Sequence, residues 1–360
     1  MNEMNEVFIQ DRRNFPLDLA KKFFLRLGIA ILLQKVIWIA LANVMATAVY
    51  MISPDIYNTW WFPWLYNDLP HYLIAIPICY LVLPKKIETD AYVVEVESET
   101  DTKPKFGIGK AAIALVVAFS ALYIFAQVGS AVNNFLNFIS NGFLGQDDTL
   151  NELISATPWY VTFIGTVILA PLMEEIVFRK WIIDRARPFG EFSACLLSGL
   201  LFGLFHGNFL QGFYATALGF IFAYVYIRTS NILYPIALHS IVNLFGSIII
   251  PNIISDANVE KIDMIVNDGV MNGETMTALF MVLVAEILTV AAIIAGIVLF
   301  IIFVRKLVFK KTPLLDTGVK PTKLMLGNEG VIISIVVLSL SFFSSFVIKL
   351  IEKFLYILLH

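Results

Sequence analysis

The sequence predicts an all-α fold, a polytopic integral membrane bundle of about nine transmembrane helices. The 360 residues are 59% hydrophobic and only 15% charged. Soluble domains are usually about 45–50% apolar and about 25% charged. Long apolar stretches alternate with short polar connections, and Lys and Arg concentrate in every second connection. Composition, segment length and charge distribution therefore favour the same fold class.

Stretches that are nearly free of formal charge define the predicted crossings. They lie near residues 23–52, 70–84, 111–137, 158–180, 191–207, 212–229, 231–251, 275–304 and 330–349. One crossing needs roughly 20 residues, and the second, fifth and sixth stretches are shorter than that. The uncharged stretch from Phe192 to Ile227 must hold two helices. Gly207, Asn208 and Gly212 mark the expected turn between them.

The distribution of Lys and Arg predicts the orientation. Most of the 25 basic residues fall in the N-terminal arm, in the 85–110 loop, and after the fourth, sixth and eighth segments. The intervening connections 53–69, 138–157, 208–211 and 252–274 contain only Lys261. Because basic loops stay on the cytoplasmic side, we expect a multi-pass protein of the cell membrane with a cytoplasmic N-terminus.

This topology divides the chain into four predicted regions. They are a cytoplasmic arm (1–22), N-terminal transmembrane helices with a cytoplasmic loop at 85–110 (23–137), core helices (155–251) and C-terminal transmembrane helices (275–360).

Several classes of protein are excluded or disfavoured. The apolar composition excludes an ordinary soluble enzyme, and a net charge of -3 without a long basic run excludes a nucleic-acid partner. Cys79 and Cys195 both lie inside apolar runs, so neither a disulfide framework nor a CxxC metal site is indicated. The polar N-terminus and the long apolar run after it do not predict a cleavable signal peptide.

The fourth segment carries a charged cluster, Glu174-Glu175-Ile176-Val177-Phe178-Arg179. Glu175 and Arg179 are four residues apart and can pair on one helix face, whereas Glu174 is rotated by about 100° and can face a cavity. Pro171 removes a backbone hydrogen bond one turn earlier and can open the helix there. A plain cluster of charges at the membrane edge is the alternative interpretation.

Two further polar pairs follow on later segments. Phe202 and His206 lie one turn apart on the fifth segment, and His239 and Asn243 lie one turn apart on the seventh. Two hydrogen-bonding side chains on one face can form an oxyanion site or half of a metal site. The alternative is that each pair only packs helices together.

Two other ionisable groups fall near mid-depth in the membrane, Lys35 in the first segment and Glu286 in the eighth. Because buried charges are normally paired, a structural ion pair between them is the simplest expectation. Counting residues inward also places Glu174, His206 and His239 within the bilayer. His206 lies nearer the outer side than the others unless its helix tilts or ends early.

These ordered motifs resemble the CPBP family, which includes CAAX-type prenyl-protein endopeptidases and bacteriocin-processing or immunity (Abi) membrane proteins. That family carries EExxxR, FxxxH and HxxxN/D motifs, which stand here as Glu174-Glu175-xxx-Arg179, Phe202-xxx-His206 and His239-xxx-Asn243. The resemblance covers roughly residues 155–250 and not the flanking helices. It implies an intramembrane endopeptidase.

The expected mechanism uses a water molecule as nucleophile. Glu174 would act as general base on a water that His206 also holds, while His239 and Asn243 would stabilise the oxyanion. Glu175 and Arg179 would hold the fourth helix and orient Glu174, and Phe202 would give structural support. No cofactor is required, although Glu174, His206 and His239 also form a plausible zinc set. Following the resemblance, the metal-free mechanism is favoured because no HExxH pair shares a helix.

The expected partners are the lipid bilayer and a hydrophobic or membrane-associated peptide or protein substrate. The resemblance permits prenylated CAAX ends, peptide leaders or membrane-embedded substrates. One alternative is a non-catalytic bacteriocin-immunity or peptide-binding membrane protein, which needs no activated Glu174. A second is a transporter that uses Lys35 and Glu286 as relay charges, which is disfavoured because no inverted repeat is visible.

Overall fold

The computed structural model describes residues 15–87, 107–142, 144, 149–309 and 315–343. The arm up to residue 14, the centre of the 85–110 loop and the chain from residue 344 lie outside the described residues, as do the expectations that fall on them. Within the described ranges the architecture is helical, which confirms a polytopic helical membrane protein. Helices suit this environment because they satisfy their own backbone hydrogen bonds in lipid.

The helices are numbered along the chain, and a single turn at Pro54–Tyr57 precedes α2. They are α1 (Leu17–Ile52), α2 (62–82), α3 (Ile108–Ile139), α4 (Thr149–Ala156), α5 (Trp159–Phe189), α6 (Glu191–His206), α7 (Phe209–Thr229), α8 (233–253), α9 (Asp256–Asp268), α10 (Gly273–Val304), α11 (Pro321–Leu326) and α12 (Glu329–Ser341).

Each of the nine predicted segments is helical over most of its described length. Six described helical ranges are long and apolar enough to cross a membrane, with α8 and α9 counted as one range. Two other predicted crossings, α6 and α12, are shorter apolar helices. The predicted turn after the fifth segment is tighter than expected, because α7 already begins at Phe209 and Gly212 lies inside it.

Helix α5 changes its pitch on both sides of the predicted charged cluster. Its stretches Phe163–Leu169 and Ile176–Ile183 are π-helical, and the regular turn Ala170–Glu175 lies between them. Pro171 is in that turn, where the sequence predicts an opening of the helix. Wider π-helical turns are rare and often occur at functional sites, and here they flank Glu174 and Glu175.

The core lies between α1, α5, α6, α7 and α12. Fully buried side chains from these helices form one continuous cluster, among them Leu27, Phe178, Leu201, Tyr226 and Leu338. A smaller cluster joins α3, α7 and α8.

Close approach between α6 and α7 depends on glycine. A Cβ atom on Gly203 would come within 1.9 Å of Thr216 Oγ1, so only glycine fits without a shift. Small residues that let helix backbones approach are typical of membrane helix packing.

The expected ion pair between Lys35 and Glu286 is wrong. The Lys35 ammonium is buried and donates to the backbone carbonyl of Phe205 at 2.7 Å. Glu286 is exposed on α10. That helix packs against α3, and Ser120 of α3 donates to the carbonyl of Ile293 on α10. The two residues were expected to pair because they lie at similar depth in the membrane. Their helices, however, occupy different parts of the bundle.

Candidate active site

Four of the predicted site residues line one cavity of about 520 Å³. They are Glu174 from α5, His206 from α6, and His239 and Asn243 from α8. Phe202 from α6 also lines it. Three separate helices thus direct a carboxylate, two imidazoles and an amide into one space. A cavity that gathers polar groups between apolar helices is a typical place for a ligand or substrate.

His239 connects the two adjacent glutamates of α5. Its Nδ1 atom lies 2.9 Å from Glu175 Oε1, and its Nε2 atom lies 3.7 Å from Glu174 Oε2. Because a carboxylate oxygen accepts, Nδ1 carries the proton that is donated to Glu175. The other imidazole nitrogen therefore faces Glu174 and the cavity. The two glutamates differ in access, since the Glu175 side chain is 0% exposed and that of Glu174 is 23% exposed.

Behind Glu175, on the side away from the cavity, Arg179 forms a buried ion pair with this carboxylate. Arg179 Nε lies 2.9 Å from Glu175 Oε2, and both side chains are 0% exposed. The guanidinium carbon lies 4.6 Å from the ring centre of Phe202 and 5.8 Å from that of Phe222. Among the described residues its terminal nitrogens have no hydrogen-bond acceptor, so aromatic faces take the place of acceptors. The predicted i,i+4 pair is present, and it also anchors the carboxylate that holds His239.

His206 is the last residue of α6, and its tautomer is fixed locally. Its Nδ1 atom donates to the carbonyl of Phe202 at 2.9 Å. This leaves Nε2 without a proton in the neutral ring, so it can accept a hydrogen bond. The ring centre of Phe202 lies 5.0 Å from that of His206 and 5.7 Å from that of His239, so its ring contacts both imidazoles.

Helix α6 begins at Glu191, the start for which the sequence places His206 nearer the outer side of the membrane than the other site residues. Helix α6 has 16 residues and stops at His206, where Gly207 adopts a left-handed conformation with φ of 72°. Left-handed backbone is favourable for glycine, which has no Cβ. At 1.5 Å per residue such a helix is only about 24 Å long, shorter than a bilayer core. His206 is thus the last residue of a helix that is too short to span a whole bilayer core.

Asn243 is held by the backbone of α5. Its side-chain nitrogen donates to the carbonyl of Thr166 at 2.8 Å. An amide nitrogen has two N–H groups, so one remains for a group in the cavity. Thr166 lies in the first π-helical stretch of α5, which ties the position of Asn243 to the unusual pitch of that helix.

Sequence reasoning missed a second polar group on the N-terminal helices. Asp68, His71 and Trp38 also line the cavity, and Gln34 Nε2 lies 3.2 Å from His71 Nε2. Lys35 lies beside them, with its ammonium 4.2 Å from the centre of the Trp38 ring. No short motif joins these residues, and only the polar positions in otherwise apolar helices could have signalled them.

The predicted zinc set does not have the spacing of a metal site. Among the described residues, no group of three His, Cys, Asp or Glu side chains is close enough to hold a metal ion. The residues present thus do not fit the three-ligand arrangement that catalytic zinc requires.

Comparisons with known proteins find similarity in the part of the chain that forms the cavity. The model of the family described as "Type II CAAX prenyl endopeptidase Rce1-like" matches residues 156–245. This range begins just before α5 and ends in α8, so it contains the four cavity residues described first. No solved structure matches the chain.

Two curated proteins are similar over about the same share of the chain. YdiL of Bacillus subtilis (strain 168), a proposed membrane peptidase, is 37% identical over 95 residues, which are 26% of this chain and 38% of YdiL. The UPF0177 protein YxdF of Lactococcus lactis subsp. lactis (strain IL1403) is 35% identical over 109 residues, 28% of this chain and 55% of YxdF. The similarity thus spans about half or less of each relative. Over its central quarter this multi-pass membrane protein is similar to the Rce1-like CAAX prenyl endopeptidases, as the motifs predict.

Proposed function

We propose that this protein is an intramembrane endopeptidase that hydrolyses a peptide bond in a hydrophobic or membrane-associated peptide. The observation that carries the proposal is the convergence of Glu174, His206, His239 and Asn243 on one cavity between apolar helices. The family match and the relative YdiL support a membrane protease. The cell membrane is the proposed location, with the N-terminus in the cytoplasm.

Glu174 is the proposed general base. Its carboxylate has access to the cavity, and a water there can give it a proton while attacking a peptide carbonyl. His206 holds the same water through Nε2, which can accept because Nδ1 is committed to the carbonyl of Phe202. The proton then passes from Glu174 to the amine that leaves when the C–N bond breaks.

His239 and Asn243 are the proposed oxyanion donors. When protonated on both nitrogens, His239 donates to Glu175 from Nδ1 and can donate to the oxyanion from Nε2. The carboxylate of Glu175 stabilises that positive charge. Asn243 supplies its second N–H group, and such donors are most effective where water is excluded.

Glu175, Arg179 and Phe202 are proposed to position these groups. Glu175 orients His239, and Arg179 neutralises the buried carboxylate. Phe202 supports His206 with its carbonyl and covers Arg179 with its ring. This differs from the expectation that Glu175 and Arg179 orient Glu174, because the structure directs Glu175 toward another helix.

The experiment compares new peptide termini in membranes that carry wild type, Glu174→Gln or Glu286→Gln. Glu286 does not line the cavity, so its variant is a matched loss of one carboxylate. We expect the same cleaved ends with wild type and Glu286→Gln, and none with Glu174→Gln. Cleavage that survives Glu174→Gln would exclude Glu174 as the base, and the absence of new termini with wild type would favour a peptide-binding or immunity role.

A metal-free reaction is part of the proposal. Purified protein should keep its peptidase activity after exhaustive chelation. Loss of activity that stoichiometric zinc restores would replace this mechanism with a metal-assisted one.

A further inference from the structure

Trp64 of α2 lies directly against the first π-helical stretch of α5. A Cβ atom on Gly165 would overlap the six-membered ring of the Trp64 indole, so this ring rests on the backbone of the glycine. Trp64 is partly buried and also lines the cavity. It lies outside residues 156–245, the segment that matches the family model, so the similarity to that family does not explain it.

A hydrogen bond fixes the indole at its other edge. Trp64 Nε1 donates to Thr157 Oγ1 at 2.9 Å, and Thr157 Oγ1 donates in turn to the carbonyl of Leu153 at 2.7 Å. Thr157 lies between α4 and α5, just before the helix whose backbone the ring covers. Because both its N–H group and its face are in contact, the indole determines how closely α2 approaches this part of α5.

The backbone under the indole is next to the group that holds Asn243. The carbonyl of Thr166, the residue after Gly165, accepts from the Asn243 side chain at 2.8 Å. Glycine has more backbone freedom than any other residue, so a contact from outside the helix is needed to keep one conformation at Gly165. The π-helical pitch of this stretch is itself rare and adds to that need. Trp64 provides such a contact.

We propose that Trp64 is a positioning residue for the oxyanion site. The inference rests on the proposed function and extends the site to a helix beyond the family segment. The indole holds the backbone at Gly165, the Thr166 carbonyl keeps its direction, and Asn243 keeps its second N–H group aimed at the oxyanion. A displacement of about 1 Å can cost about 10²-fold in rate, so a change at Trp64 reaches the chemistry through Asn243.

Steady-state kinetics of the purified protein in detergent tests this role. The probe is a synthetic peptide that spans a bond cut by wild type but not by Glu174→Gln. We expect Trp64→Ala to lower kcat by about 10²-fold and to change KM by less than about twofold, because positioning of an oxyanion donor acts in the transition state. Trp61 is 40% exposed and does not line the cavity, so Trp61→Ala is the matched control and should keep the wild-type kcat.

Combination with Asn243→Ala separates positioning from a general structural effect. If Trp64 acts through Asn243, adding Trp64→Ala to Asn243→Ala should lower kcat by less than about twofold more. Trp64→Phe is a second variant in case Trp64→Ala does not fold, since it keeps an aromatic ring but has no N–H group for Thr157. We expect it to lower kcat by about tenfold alone and to add little in the Asn243→Ala background.

Equal losses of kcat with and without Asn243→Ala would overturn the role of Trp64 and leave the proposed function intact. An unchanged kcat in Trp64→Ala, or a loss confined to KM, would overturn it as well. If Asn243→Ala keeps full kcat, the assignment of the oxyanion donor fails and the role of Trp64 fails with it. If wild type and Glu174→Gln give the same peptide termini, it is the proposed function that fails, together with the inference that rests on it.

Discussion

Removing either partner of the buried pair between Arg179 and Glu175 should be costly. Arg179→Met leaves a carboxylate of 0% exposure with His239 as its remaining partner, and Glu175→Gln leaves a buried guanidinium without a carboxylate. Breaking a buried pair by removing one partner typically costs about 3–5 kcal/mol. Each single variant should therefore lose about that much stability, which is a large share of the total for many proteins.

The double variant Glu175→Gln/Arg179→Met should be much more stable than either single variant. It leaves no unpaired buried charge, and the amide oxygen that replaces the carboxylate can still accept from His239 Nδ1. We expect a loss of about 1–2 kcal/mol, the order of one perturbed hydrogen bond. Activity should not recover with stability, because the negative charge that supports His239 is still absent. The expected variant is folded and inactive.

The assay is a double-mutant cycle on the unfolding of purified protein in detergent, followed by far-ultraviolet circular dichroism, with peptidase turnover measured in parallel. Additive losses of stability in the double variant would show that the two charges do not act as a pair. Recovery of turnover together with stability would show that Glu175 has no role toward His239 beyond holding the fold.

Three further predictions concern single positions around the cavity. Asn243→Ala should lower kcat by about 10²–10³-fold with little change in KM, as measured by steady-state kinetics, because an oxyanion donor acts mainly in the transition state. Lys35→Met should lower kcat by up to about 10²-fold while the unfolding midpoint changes little, because the end of α6 loses the contact that positions His206. An unchanged kcat would refute that role. Gly203→Ala should destabilise by about 1–3 kcal/mol in detergent unfolding, because its Cβ would meet Thr216.

Much of the fold follows from the sequence because membrane helices leave a strong signal. Charge-poor stretches predicted the nine helices that match the crossings but not α4, α9 and α11, and the glycine after His206 predicted where α6 ends. Contacts within one helix were also predictable, since Glu175 and Arg179 share a face by helical geometry alone. The end of α7 was predictable in the same way, because Arg228 ends the uncharged stretch and lies in the last turn of the helix.

Contacts between helices were harder to predict. Depth along the membrane can be counted from the sequence, but the position of each helix around the bundle cannot. This is why Lys35 was assigned to Glu286 although it contacts Phe205. It is also why the contact between Glu175 and His239, which joins α5 to α8, was not foreseen. The same reason explains why Asp68 and His71 were not predicted to line the cavity.

The π-helical stretches of α5 determine the direction in which the side chains of the turn between them point. If the stretch Phe163–Leu169 took ordinary α-helical pitch without losing a residue, the downstream turn would rotate by about 100° about the helix axis. Glu174 would then leave the cavity, although length, hydropathy and every motif residue would be almost unchanged. A homologue with an intact EExxxR signature could thus be inert for reasons of helical register alone.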